Sequence, residues 1–99
     1  MTDHWGLDVS TDGPLAEVAV RGELDMASGP ELSDVLDRLL ASGVVDVIVD
    51  LSGVAFADSS GLSPVVDHQP RFSAAGGGLE VRRASRLAQR VLSAMASAS

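Results

Sequence analysis

Apolar and polar residues alternate in two short runs near the start of the chain, HWGLDV and LAEVAVRG, with TDGP between them. A period of two is strand patterning, and Asp12, Gly13 and Pro14 are turn residues. The pattern predicts a hairpin whose second strand runs through Val18 and Val20. The period then changes. Leu32, Val35, Leu36, Leu39 and Leu40 recur at helical spacing in ELDMASGPELSDVLDRLLASG. Ser28 and Glu31 read as a capping box, Pro30 suits a first turn and Gly43 a C-terminal cap. The run VVDVIVDL, Val44 to Leu51, is nearly continuous and β-branched, as in a central strand covered on at least one face. SGVAFAD reads as a loop leading into SSGLSPVVDHQPRFSAAGGG, where Val65, Gln69 and Phe72 give weak helical spacing and residues 76–78 end it. LEVRR, Leu79 to Arg83, is a further strand. Ser85 caps a last helix with Leu87, Ala88, Val91, Leu92 and Met95 on its apolar face, and residues 94–99 are expected to fray.

The order ββαβαβα implies an α/β fold, a mixed four-stranded sheet with the helices packed mainly on one face. Too few helices are predicted to cover both. At 99 residues the chain is expected to form one domain, residues 1–99, with one modest core.

Composition narrows the chemistry. There is no cysteine, which excludes disulfides, thiolate metal sites and thiol chemistry. The formal charge of −7 disfavours nucleic acid and anionic membranes, whose phosphates call for Lys and Arg. Trp5, Phe56 and Phe72 are the aromatics, too few for a base-stacking platform. No apolar run is long enough to span a bilayer, and the polar start does not read as a signal peptide. A cytoplasmic protein without membrane insertion is expected.

FADSSGL, residues 56–62, carries the candidate chemistry. A nucleophilic serine would need a glycine two residues before it, and Ala57 or Asp58 stands there instead. It would also need a base, and only His4 and His68 exist. A helix N-cap is the plainer reading, since Asp58, Ser59 and Ser60 all cap well. One hydroxyl would suffice for that, however, and the corner follows a central strand's carboxyl end, where sheet proteins place their sites. A phosphorylation site is the third reading: a phosphate at a helix start meets unpaired N–H groups and the positive end of the dipole. Added charge there would oppose burial in an interface, an off-switch for binding.

These stretches resemble the anti-sigma-factor antagonist family, which has the STAS fold. VRGELDMASGPEL is similar to the family's G-E-L-D segment and following helix. VIVDLSGVAFADSSGL is similar to its most diagnostic stretch, and GGGLEVRRASRLAQRVL to its fourth strand and last helix. The resemblance implies a STAS-like domain that binds an anti-sigma factor with serine kinase activity and thereby frees a sigma factor. It implies phosphorylation on the first serine of D-S-S-G, Ser59 here, with reversal by a PP2C-type phosphatase. It places Asp25, Asp58, Ser59, Ser60, Gly61 and Leu62 on the partner-binding surface. ATP and Mg²⁺ would belong to the partner, so this chain is expected to be a substrate without a cofactor, not an enzyme. The alternative is a STAS interaction module without phosphorylation, in a signalling or lipid-transport assembly; a small serine-dependent enzyme is the enzyme-class alternative.

The chain departs from the family pattern at Ser63-Pro64 and Pro70. Interior prolines remove helical donors. They predict a helix that is kinked, shortened or started later, with Ser63 as N-cap and Pro64 at its first position, which would leave Ser59 in a loop. His68 is expected to be solvent-exposed rather than a metal ligand, and GGG to be a helix-to-strand turn. Asp50 is expected to satisfy the backbone of the loop after its strand. Arg82, Arg83, Arg86 and Arg90 read as a solvated face.

Overall fold

The computed structural model describes residues 5–98, the side chains of 97 and 98 excepted. Its elements are β1 (Trp5–Asp12), β2 (Leu15–Leu24), α1 (Gly29–Ala41), β3 (Asp46–Ala57), α2 (Ser59–Ala74), β4 (Gly78–Ala84) and α3 (Arg86–Ala98). The strands form one sheet in the order β1-β2-β3-β4. β1 and β2 are antiparallel, joined through Gly13 and Pro14, with Gly13 at φ 62°. β2–β3 and β3–β4 are parallel. Right-handed crossovers that step the same way along a sheet put α1 and α2 on the same face. The core lies there, as the order ββαβαβα predicts.

Alternation works as expected in β2, where Ala16, Val18, Val20 and Leu24 are buried. In β3 it changes phase. Val47, Val49 and Leu51 are buried two residues apart, then Val54 and Ala57 three apart. The register explains this. Ala19 and Arg21 of β2 pair with Asp50 and Gly53, and Gly22 and Glu23 pair with Val54 and Phe56. Each step inserts one extra residue on β3, a bulge that returns the next apolar side chain to the core. The segment SGVAFA, expected as a loop, is therefore the second half of the strand. Asp50 is correspondingly not at a strand end. Its carboxylate accepts from Ser52 N at 2.9 Å and Ser52 Oγ at 2.7 Å, bracing the first bulge. The Ser52 hydroxyl and amide hold that carboxyl below its usual value.

α1 buries Leu32, Leu36 and Leu39, and Val35 and Leu40 are partly buried. It ends in a Schellman motif: Gly43, at φ 102°, donates to Leu40 O, and Val44 donates to Leu39 O at 3.0 Å. Its start departs from expectation, because Ser28 makes no side-chain cap. The Ser28 hydroxyl instead donates to Glu23 O at 2.7 Å and accepts from Asp25 N at 2.9 Å. Committed to the preceding turn, it makes no capping box with Glu31.

α2 differs most from expectation. It runs without a break from Ser59 through both prolines to Ala74 and closes in a second Schellman motif: Gly76 donates to Ser73 O and Gly77 to Phe72 O. Each interior proline costs about 3 kcal/mol relative to alanine. Burying Leu62, Val65 and Phe72, all fully enclosed here, returns about 1.5–3 kcal/mol each, and the cap described below about 1 kcal/mol more. The two sums are of the same size, so burial and the cap offset both prolines and the helix continues through them. The buried stripe is Leu62, Val65, His68 and Phe72; Gln69 is exposed. Pro70 is itself exposed. Pro70→Ala is expected to raise the melting temperature by at least about 5 °C, because it restores a donor to Val66 O without touching the core. Scanning calorimetry checks this, and an unchanged midpoint would show that the missing bond costs nothing here.

Ser85 Oγ accepts from Ala88 N at 3.3 Å and starts α3 as expected. Ala88 is buried and Val91, Leu92 and Met95 pack partly against the core, but Leu87 faces solvent. Regular helix is assigned through Ala98, inside the stretch expected to fray, and Ser99 lies outside the described residues.

Candidate functional site

The site is the corner between β3 and α2. Asp58 is extended (φ −128°, ψ 177°) and its Oδ1 accepts from Gly61 N at 2.9 Å, a side-chain N-cap. Its carbonyl accepts from Leu62 N at 3.1 Å, and its N–H donates to Leu24 O at 3.3 Å, tying the corner to the end of β2. Ser59 is thus the first residue of α2, not part of a loop, and both Ser59 and Ser60 are exposed. Ser59 O accepts from the Ser63 hydroxyl at 2.7 Å, so Ser63 sits inside the helix rather than capping a later one.

Two glycines set the depth of this corner. A Cβ on Gly61 would lie 2.0 Å from Leu24 O and 2.6 Å from Asp25 N. A Cβ on Gly29 would lie 3.1 Å from Ser60 O and 3.3 Å from Gly61 Cα. The starts of α1 and α2 therefore meet backbone to backbone. Asp25 lies in the same contact. Its Oδ1 accepts from Ala27 N at 2.9 Å and Ser28 N at 3.1 Å, and these N–H groups, that of Ser28 foremost, hold its carboxyl below the usual value of 3.8. Of the residues expected on a partner surface, Asp25 and Asp58 are partly exposed and Ser59 and Ser60 fully so. Gly61 and Leu62 are buried, because the corner sits on them. They seat the site and present nothing outward.

Two apolar residues on this surface escape sequence reasoning. Met26 is 76% exposed and Phe56 46% exposed. A groove of about 330 Å³ opens between the helix starts, lined by Met26, Gly29, Pro30, Ser60, Pro64 and Asp67. The bulges bring Phe56 outward, and no periodicity in the sequence marks them.

Other candidates resolve differently. His68 is buried, contrary to expectation. Its Nδ1 lies 2.7 Å from Pro64 O and its Nε2 2.7 Å from Asp37 Oδ1. Both nitrogens are engaged away from Ser59, so this ring is no base for a serine nucleophile; His4 lies outside the described residues. Among the described residues no group of three or more His, Cys, Asp or Glu could hold a metal ion, and no helix is long and apolar enough to cross a membrane. Arg82, Arg83, Arg86 and Arg90 are exposed; Arg83 reaches within 3.9 Å of Asp50.

Residues 7–98 match the family model described as "Mlab, STAS domain". The chain belongs to the STAS family. This STAS domain is 39% identical over 59 residues to the anti-sigma-B factor antagonist of Staphylococcus aureus (strain NCTC 8325 / PS 47), a match that covers 60% of this chain and 55% of that protein. The matched segment thus spans about half of the relative's length. Its fold is that of the anti-sigma factor antagonist SpoIIAA in its unphosphorylated form, with a TM-score of 0.80 at 17% identity over 92% of this chain and 81% of that one. The phosphorylated form of SpoIIAA, a Bacillus cell fate determinant, matches with a TM-score of 0.74 at 16% identity over 92% and 83% of the two chains. At these identities the structural matches speak for the fold.

Proposed function

We propose that this STAS domain is an anti-sigma-factor antagonist, which binds an anti-sigma factor with serine kinase activity and is released by phosphorylation of Ser59. The placement of Ser59 carries the reading. Its hydroxyl is exposed at the first position of α2, directly after the capping Asp58, on a corner held rigid by main-chain contacts. A kinase can reach such a hydroxyl without unfolding anything, and a phosphate there sits at the positive end of the helix dipole. The likeness to the staphylococcal antagonist supports the same class of partner. Asp25, Met26, Phe56, Asp58, Ser59 and Ser60 form the contact surface, and Gly61 and Leu62 hold it in shape. Nucleotide and metal sit on the kinase, so this chain supplies only the accepting hydroxyl and acts as substrate, not enzyme. A PP2C-type phosphatase reverses the step, and the dependence on ATP places the cycle in the cytoplasm.

Incubation with the cognate kinase and ATP is expected to add one phosphate, which tandem mass spectrometry will place on Ser59. Modification confined to Ser60, or none by an active kinase, would reject the assignment. A second reading is a STAS interaction module without phosphorylation, in a signalling or lipid-transport assembly. The family model's description, which names Mlab rather than an antagonist, favours it. The same experiment separates the two.

A further inference from the structure

The sheet has two outer strands, and their edges are built differently. Among the described residues β4 pairs only with β3, and β1 only with β2. The edge of β4 is guarded. It is seven residues long, it carries the exposed Arg82 and Arg83, and its register against β3 slips between Val49 and Asp50. A short, bulged, cationic edge resists the addition of another strand. β1 has none of these devices. Its eight residues pair with β2 in unbroken register, from Trp5 opposite Gly22 to Asp12 opposite Leu15, and include no proline, lysine or arginine. On such an edge every second residue turns its N–H and C=O away from the sheet.

The side chains beside this edge favour one kind of occupant. Leu7 and Val9 stand opposite Val20 and Val18, both buried, so Trp5, Leu7 and Val9 form a row on the core face of the sheet. The row is incompletely covered: Trp5 and Leu7 are half-buried, and Val9 is 44% exposed. A groove of about 390 Å³ opens between this row and α1. Trp5, Leu7 and Val35 give it an apolar lining, and Glu31, Asp34 and Arg38 a charged one. On the other face of β1, Asp8, Ser10 and Asp12 are exposed, and Arg21 of β2 is already paired with Asp8 at 2.9 Å. Carboxylates therefore outnumber cations around the edge. A second copy of β1 would bring another set of the same carboxylates and no cation, which opposes self-pairing.

We propose that the edge of β1 is a docking edge for an extended segment of another protein. The segment is apolar on the side that faces α1 and carries Lys or Arg on the side that faces Asp8 and Asp12, and it joins the sheet as a fifth strand. Main-chain hydrogen bonds hold it, the row of Trp5, Leu7 and Val9 receives its apolar side chains, and charge selects it. β2 separates this edge from β3, the strand that leads to Ser59. Docking here is independent of the Ser59 reading and needs no kinase.

The probe is an end-blocked octapeptide alternating valine and lysine, titrated into the ¹⁵N-labelled chain. Its counterpart alternates valine and glutamate. The lysine peptide is expected to shift the amide signals of Trp5–Asp12 and of Val35, and not those of Gly78–Ala84. It should bind at least about tenfold more tightly than the glutamate peptide at low salt, with a smaller gap in about 0.5 M salt. Methylating the main-chain nitrogens of the valines, or those of the lysines, tests strand addition directly. One set should cost about tenfold or more and the other little, since a strand turns only alternate donors to its neighbour. Ser10→Lys places a cation on the edge opposite Glu17, an exchange that the fold tolerates at an exposed site. It should weaken the lysine peptide about fivefold and strengthen the glutamate peptide. Absence of binding by the lysine peptide, equal affinity for both peptides, equal effects of the two methylations or shifts centred on β4 would each overturn the proposal. Concentration-dependent shifts confined to β1 without peptide would assign the edge to a second copy, and would overturn it too.

Discussion

Gly61→Ala is expected to destabilise the domain by about 2–4 kcal/mol, lowering the midpoint by about 10–20 °C. Helix propensity alone predicts the opposite, a gain of about 1 kcal/mol from replacing glycine inside a helix. The contact decides the sign. The new Cβ would lie 2.0 Å from Leu24 O and 2.2 Å from Leu24 C, main-chain atoms of a central strand that cannot rotate aside. The start of α2 must lift off β2, weakening the bond from Asp58 N to Leu24 O and moving Ser59 with it. Two controls isolate the cause. Gly78→Ala meets nothing within 4 Å and should be close to neutral. Gly77→Ala would place a Cβ 2.0 Å from Val45 O, at the connection between α2 and β4 away from the corner. It should cost comparable stability. Only Gly61→Ala should also slow modification of Ser59 by the kinase at a temperature where both variants are folded. Calorimetry gives the stabilities, and a Gly61→Ala chain as stable as wild type would mean that the corner is not seated by this contact.

Ser59→Asp is expected to weaken binding to the anti-sigma factor at least tenfold, about 1.4 kcal/mol, with Ser59→Ala unchanged. Ser59 is exposed at the start of α2, next in the chain to Ser60, which with the exposed Met26 lines the groove between the helix starts, so a partner docked over this corner removes it from water. A hydroxyl tolerates that. A carboxylate without a cation opposite does not, since burying an unpaired ion costs several kcal/mol. Phosphate, with about −1.5 to −2 charge, should act more strongly than aspartate. The same negative charge at the first position of α2 favours the helix dipole. Binding should therefore fall while the melting temperature holds or rises, a pairing that misfolding cannot produce. Titration calorimetry returning one affinity for both variants would remove Ser59 from the interface.

Residues whose partners lie nearby in the chain were legible in the sequence. The five-residue stripe of α1, the alternation of β2, Gly43 as a helix stop and Ser85 as a helix start each follow from local periods and caps. Misreadings came where distant contacts took over. Ser28 has the composition of a capping box, but its hydroxyl is drawn to Glu23 O. The second half of β3 buries every third residue, a spacing that belongs to neither strand nor helix until the bulges against β2 are known. The prolines of α2 speak locally for a broken helix, and the burial that offsets them comes from residues packed on the sheet. His68 shows the same limit. Nothing adjacent to it announces a carboxylate thirty-one positions away on another helix. Of the corner, Asp58 and Ser59 could be read from type and order, whereas the seating by Gly29 and Gly61 and the exposure of Met26 and Phe56 emerge only from the fold.

The main-chain seating of the corner bears on how such domains diversify. Gly29, Gly61 and Leu24 meet through backbone atoms and glycine hydrogens, so the outward side chains of Met26, Phe56 and Ser60 contribute nothing to holding the serine in place. Mutation can rewrite those positions, and on the proposed reading alter which partner is recognised, while the Ser59 hydroxyl stays in its setting. In a genome carrying several paralogous copies, insulation between parallel circuits can then evolve by changes at the rim alone, and crosstalk becomes a property of a few replaceable side chains.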